Sequence, residues 1–327
     1  MGISTEAQQF AQFLESVRAK ASTPGLDLAV VRDIVDTHAS ASTEPEGVTY
    51  ADVDADGVPA LWVIPEGADP DKALLHFHFG GSVAASISSD RKAAGHIAKA
   101  AGARSLVVGF RLAPEHPHPA QIDDAETAYR WLLAQGYEPR NIGSTGHSIG
   151  GTLAVALPLR LLAKGEAAPG AIVSISPWTD LTISNPKVDE NEELDKMLSR
   201  DILEQFRAAW LQDPGVDFTD PDISIVNADL TGLPPTALHY GEYEALAGEG
   251  ADFGRRLADF KILSEVRPLP EGQHSFILGA GACPRWTGRS GRWVSGFAGT
   301  SAADVEAART CASSAEETTE KITQRDG

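Results

Sequence analysis

Residues 142–155 read Ile-Gly-Ser-Thr-Gly-His-Ser-Ile-Gly-Gly-Thr-Leu-Ala-Val, and the fold turns on how they are read. Residues 142–145 have the look of a short strand, and 152–162 open an apolar helix. Between them, Gly146-His147-Ser148-Ile149-Gly150-Gly151 is a Gly-x-Ser-x-Gly turn in a strand-turn-helix setting. Such a turn is so tight that only glycine fits beside the serine, and it pushes the hydroxyl clear of the backbone. The helix that begins there aims its free N–H groups and positive dipole end at the same place. A Gly/Ser turn without chemistry is the plainer explanation, and the strand-turn-helix setting argues against it.

Outward from this turn, strand-like and helix-like runs alternate. Strands are expected at 73–79, 105–110, 171–176, 236–240 and 263–266, and helices at 93–101, 120–134 and 249–260. That alternation predicts parallel pairing in one sheet covered by helices on both faces, an α/β architecture. A hairpin with its turn at Asp56-Gly57 joins 48–53 to 61–64. Residues 1–45 read as amphipathic helix, with Phe10, Phe13, Leu14 and Val17 at helix spacing. The alternation breaks at 185–213, where an acidic patch at 190–195 precedes helix spacing at 197–210. This predicts an inserted helical segment over the carboxyl edge of the sheet. The expected division is a core of 46–184 and 221–298, a helical cap of 1–45 and 185–220, and a flexible tail at 299–327. Residues 282–292 fit no helix period.

Composition narrows the function. With 27 Lys and Arg against 46 Asp and Glu, the net charge of the 327 residues is −19, a field that repels nucleic acid and anionic lipid. Cys283 and Cys311 are too few for a disulfide framework or a four-cysteine zinc site. No apolar run approaches the ~18 residues of a membrane span. The first residues are polar and lack a secretion signal, so a cytoplasmic protein is expected.

A serine nucleophile needs a base, an acid to orient it, and donors for the oxyanion. In this topology the order along the chain is serine, acid, histidine. Only His239 and His274 follow Ser148, and His239 falls inside a strand while His274 lies in a loop just past one. His274 is therefore the expected base. The expected acid is Glu244, directly after the 236–240 strand, with Glu242 and Asp252 as alternatives. Gly80 and Gly81 end an apolar strand in a form that lets backbone N–H groups approach a ligand. Their amides, with that of Ile149, make the expected oxyanion hole. His76 with His78, and His116 with His118, have the spacing that puts two ligands on one strand face, but no further ligands lie near in sequence, and no metal is expected. The Asp52-Val-Asp54-Ala-Asp56-Gly57 stretch opens like a calcium loop, but its twelfth position is Val63 instead of Glu, so it reads as a hairpin turn.

These residues resemble the bacterial hormone-sensitive-lipase-like esterases (family IV) of the α/β-hydrolase fold. The likeness rests on His78-Phe-Gly-Gly81, Phe110-Arg-Leu-Ala-Pro-Glu-His-Pro-His-Pro-Ala120, Gly146-His-Ser-Ile-Gly-Gly151, Ser176-Pro-Trp-Thr-Asp-Leu-Thr182, Leu233-Pro-Pro235 and His274, in family order. It implies a carboxylic ester hydrolase without a cofactor, acting through Ser148, Glu244 and His274 on a small ester or lactone. A hydrolase-fold binding protein without turnover, or amide or carbamate hydrolysis by the same triad, are the alternatives; a homodimer is left open. Three departures stand out. Phe79 replaces the first glycine of the family's His-Gly-Gly-Gly and is strained if that position needs positive φ. His147 and Ile149 flank the serine where the family has Asp and Ala, and the Ile149 side chain is expected to narrow the pocket. Glu244-Ala245 stands where the family usually has Asp, often followed by Pro.

Overall fold

The structure, a computed structural model, describes residues 4–282; Cys283, Cys311, the irregular segment past Ala282 and the tail lie outside it. Two helices come first, α1 (Thr5–Ala21) and α2 (Leu28–Asp36), followed by the hairpin β1 (Val48–Ala55) and β2 (Val58–Pro65). Asp56 and Gly57 turn that hairpin with φ of 59° and 89°. Then β3 (Asp69–Phe77), α3 (Ile87–Ala101), β4 (Ala103–Val108), α4 (Ala120–Ala134), β5 (Ile142–His147), α5 (Ile149–Ala163) and β6 (Ala171–Ile175) alternate as expected. The inserted segment holds α6 (Lys187–Glu190) and α7 (Arg200–Trp210), and β7 (Thr236–Gly241), α8 (Ala247–Asp259) and β8 (Ser264–Leu269) complete the fold.

The eight strands form one sheet in the order β1-β2-β4-β3-β5-β6-β7-β8. Pairing is antiparallel from β1 to β4 and parallel from there on. Crossing from β4 back to β3 and then out to β5 puts the carboxyl ends of β3 and β5 side by side, so Phe77 pairs with Gly146. Ligands of open α/β sheets bind at such reversals of strand order. One face of the sheet packs Leu132, Leu153 and Phe253 from α4, α5 and α8. The other packs α1 and α3 through Phe10, Leu14 and Ile97, together with Phe276–Gly279, a single helical turn. No helix among the described residues is long and apolar enough to cross a membrane.

Several boundaries differ from the sequence reading, and two of the differences have a clear local cause. Helix α3 starts at Ile87 because Ser86 and Ser89 form a capping box ahead of the polar stretch 88–92, which carries no apolar period. Helix α7 starts at Arg200, capped by Ser199, because Met197 and Leu198 donate their N–H groups to the Asp195 carboxylate instead of continuing a helix.

Leu14 is fully buried and ties α1 to β3 and to the turn just past His274. Leu14→Ala is expected to cost about 2–5 kcal/mol in urea unfolding, the usual range for a truncated core leucine. A change below about 1 kcal/mol would mean that α1 is not part of the core.

Candidate active site

The nucleophile turn is shaped by what lies behind it. A Cβ built on Gly150 would sit 2.1 Å from the Phe77 carbonyl oxygen, and one on Gly146 would sit 2.3 Å from the Gly150 carbonyl oxygen. Backbone presses on backbone, and only glycine fits. Ser148, held between them, takes φ 57° and ψ −130°, a conformation that costs a non-glycine residue strain. Its N–H donates to the Ile175 carbonyl at 2.9 Å, which fixes the turn to β6. Ser148 stands at the amino terminus of α5 and opens onto a cavity of about 390 Å³. Val17 of α1, Val31 of α2, Leu26 from the loop between them, and Ile202 and Phe206 from α7 wall this cavity.

Gly80 and Gly81 line the same cavity with φ of 103° and 62°. Neither N–H is used in a hydrogen bond among the described residues, while the Gly80 carbonyl accepts from Val83 and Ala84 at 3.0 and 2.9 Å and fixes the loop. Ile149 is the first residue of α5, where an N–H has no partner within the helix. Three amides are thus available near the serine.

His274 and Glu244 are brought together. The His274 Nδ1 lies 3.1 Å from Glu244 Oε2, and both side chains are completely buried. Ser275 follows in the left-handed region at φ 52°, and its N–H donates to Ser176 Oγ at 3.2 Å. The His274 Nε2 has no hydrogen-bond partner among the described residues. Burial pushes the His274 imidazole down to about 4, opposed by the charge of Asp195. Burial also pushes the Glu244 carboxyl up to about 8, opposed by the Ser176 hydroxyl and the Gly241 N–H. Two groups so close titrate as one unit. With Nδ1–H donating to an ionised Glu244, Nε2 is left as an acceptor.

The alternatives are elsewhere. Glu242 is exposed, Asp252 accepts from Asn185 and Arg255 on α8, and His239 stays within β7.

Two expectations about the departures are corrected. Phe79 does not adopt positive φ, so it carries no strain of that kind. Its buried ring stacks on His147 at 5.1 Å and meets His38 edge-on at 5.4 Å. Ile149 does not narrow the cavity. Its side chain is fully buried with Val83, Ala113 and Trp178, and it does not line the wall.

The paired histidines do not act as pairs. His76 Nε2 bonds Asp90 Oδ2 and His147 Nε2 bonds Asp90 Oδ1, each at 2.8 Å. His78 instead bonds the Phe79 carbonyl at 2.8 Å and stacks on Phe110 at 4.1 Å. Among the described residues, His76, Asp90 and His147 form a group close enough to hold a cation. Both imidazoles already satisfy the carboxylate. Against the burial that would raise it, they hold Asp90 well below the usual carboxylate range. Asp90 escaped the sequence reading because it falls in the polar stretch 88–92 outside the helix expected at 93–101, and a carboxylate at a helix start signals only a favourable dipole contact. Glu249 escaped for the latter reason; buried, it accepts from the Thr179 and Asp180 amides at 2.7 and 2.9 Å and fixes the loop after β6.

A serine on a strained strand-to-helix turn, a buried imidazole–carboxylate pair and free loop amides on this sheet define the class: an α/β hydrolase. Comparison with known proteins agrees. The family model for the alpha/beta hydrolase fold matches residues 74–278. An esterase of Acinetobacter venetianus is 34% identical over 200 residues, covering 60% of this chain and 65% of the relative. The esterase LipU of Mycobacterium tuberculosis is 31% identical over 249 residues, covering 75% of this chain and 83% of the relative. The crystal structure of an esterase from the bacterial hormone-sensitive lipase family superposes with a TM-score of 0.86 at 30% identity, over 91% of this chain and 100% of that one. The chain spans slightly less than two thirds of the Acinetobacter esterase and of an acetyl-hydrolase of Streptomyces hygroscopicus, 65% and 62%. It belongs to the α/β-hydrolase fold family, in its bacterial hormone-sensitive-lipase branch.

Asp90→Ala would leave two buried imidazoles without their shared partner beneath the nucleophile turn. A loss of about 1–3 kcal/mol in denaturant unfolding is expected, as for buried hydrogen-bonding groups left without a partner. Wild-type stability in that variant would show that the network contributes nothing.

Proposed function

We propose that the protein is a carboxylic ester hydrolase in which Ser148 is the nucleophile, His274 the base and Glu244 the acid. The observation that carries this reading is the strained Ser148 at the mouth of an apolar cavity, beside unbonded loop amides, in a chain that also buries a His274–Glu244 pair. Ser148 Oγ attacks the ester carbonyl carbon as its proton passes to His274 Nε2. Glu244 accepts from Nδ1–H and stabilises the imidazolium that forms. The N–H groups of Gly80, Gly81 and Ile149 receive the oxyanion, each such donor being worth on the order of 10²–10³ in rate. The alcohol leaves with the proton from His274. Water, deprotonated by the same imidazole, then attacks the acyl-enzyme, releases the carboxylic acid and restores Ser148.

The apolar walls and the acidic surface fit an uncharged ester or lactone of short to medium length. In this reading residues 1–45 and 185–220 act as a cap over the core; of the expected core limits 46–184 and 221–298, the part past Ala282 lies outside the described residues. Relatives named as esterases, a carboxylesterase and an ethyl acetate hydrolase support the reaction class. The case for a binding protein without turnover rested on Phe79 and Ile149, and neither side chain displaces the loop glycines from the cavity.

With p-nitrophenyl butyrate, the wild type is expected to turn over and Ser148→Ala to lose activity on the order of 10⁴-fold or more. Wild type inactive at every acyl length, or an active Ser148→Ala, contradicts the proposal. The pH dependence follows from the pair: a second proton on His274–Glu244 removes the free Nε2. Activity is therefore lost as pH falls, with one apparent pKa between about 4 and about 8. A kcat/KM flat across that interval would mean that this pair does not supply the base.

A further inference from the structure

The turn 191–198 of the inserted segment is bonded to both loops that carry the acid and the base. On the acid side, Asp195 Oδ2 accepts from the N–H of Ala245, the residue after Glu244, at 2.7 Å. Asn191 Nδ2 donates to the carbonyls of Glu242 and Glu244 at 3.0 and 2.9 Å. On the base side, Gln273, the residue before His274, accepts at Oε1 from Lys196 N–H at 2.8 Å and donates from Nε2 to the Leu194 carbonyl at 3.0 Å. The turn is itself held by Asp195 Oδ1, which accepts from Met197 and Leu198 at 2.7 and 2.9 Å. Arg18 of α1 donates to the Asp195 and Leu198 carbonyls at 2.9 and 3.0 Å, and Arg18, Met197 and Leu198 all line the cavity.

The bland explanation, an acidic surface patch, fails for Asp195, which is completely buried. A buried carboxylate persists only where donors replace its water, and here three main-chain N–H groups do so. Bonds of this kind are strong where water is excluded.

We propose that Asp195 is a positioning residue, through which one turn of the inserted segment holds the loops of Glu244 and His274 in register with the wall of the acyl cavity. This deepens the esterase reading and rests on it. A base displaced by about 1 Å can cost on the order of 10²-fold in rate, and the turn adds to the Tyr243 N–H bond to the Gly272 carbonyl and to the Ser176 contacts that also join the two loops. The Asp195 charge acts in the same sense, since it favours the imidazolium that forms during attack.

Asp195→Asn is the discriminating variant. An amide can keep its oxygen on Met197 and Leu198 but turns an NH₂ toward the Ala245 N–H, so it breaks the tie to the acid loop and spares the turn. With p-nitrophenyl acetate, a substrate too small to fill the cavity, kcat is expected to fall about tenfold to a hundredfold with KM little changed. In a double-mutant cycle with Glu244→Gln the loss is expected to shrink at least about threefold, because both changes act through one group. Asn191→Ala, which cuts two bonds to the same loop and keeps Asp195, is expected to give the same signature and serves if Asp195→Asn does not fold. Unchanged kcat in the folded variants, an effect confined to KM, or an additive cycle overturns the proposal. Wild-type labelling of Ser148 by an organophosphonate separates the two claims. No labelling overturns the esterase reading itself, whereas a labelled wild type with unaffected variants overturns only the role of Asp195.

Discussion

The structure depends on one close approach, that of the last carbonyls of β3 to the turn after β5. Phe77 and His78 present their oxygens 2.1 and 2.6 Å from where a Gly150 side chain would begin. Because no Cβ fits, the chain can pass there only with glycines on both sides of Ser148, and the serine is left to absorb the awkward dihedrals. The same contact brings the loop after β3, with Gly80 and Gly81, alongside the amino terminus of α5. Ser148 and the Gly80 and Gly81 amides are therefore placed by a single packing event between parallel strands. Sheet order does the rest: β3 and β5 are neighbours because the chain doubles back at β4.

That constraint explains what the sequence made plain. Gly146, Ser148 and Gly150 are demanded by main-chain geometry, and main-chain geometry leaves a local signature. The alternation of strand and helix follows from burial on both sheet faces, so the limits of α4 agree with those read from its apolar period. The pairing of His274 with Glu244 was accessible, since Glu244 sits just past a strand end and the other histidine after the serine is enclosed in a strand. What escaped is non-local. The stacking of Phe79 on His147, and the bond from His147 to Asp90 across 57 residues, have no sequence period. Ile149 was misjudged because sequence shows that a side chain is branched, not which way the first turn of a helix points it.

Phe79 and His147 look like two independent departures from the family pattern, yet they touch. An aromatic ring at 79 needs a flat partner, and the imidazole at 147 provides one while its Nε2 serves Asp90. His76 completes the group from the adjacent strand. A substitution at either position alone would expose a ring face or strand a buried carboxylate, so the two residues form one unit under the nucleophile turn.

The buried acids show how environment divides labour among like side chains. Asp90 faces two imidazoles and is held ionised. Asp195 lies above the ordinary aspartate range because burial outweighs both the nearby His274 and its amide donors. Glu249 is also met by amides and is pushed up further, having the neighbouring charges of Asp180 and Glu244 against it. Glu244 faces one imidazole, and burial pushes its carboxyl up. A carboxylate that orients a base must hold its charge and accept from Nδ1–H. The loop that carries Glu244 is bonded on one side to Leu269 of β8 and to Gly272 and on the other to the 191–198 turn, so its position is fixed from both sides.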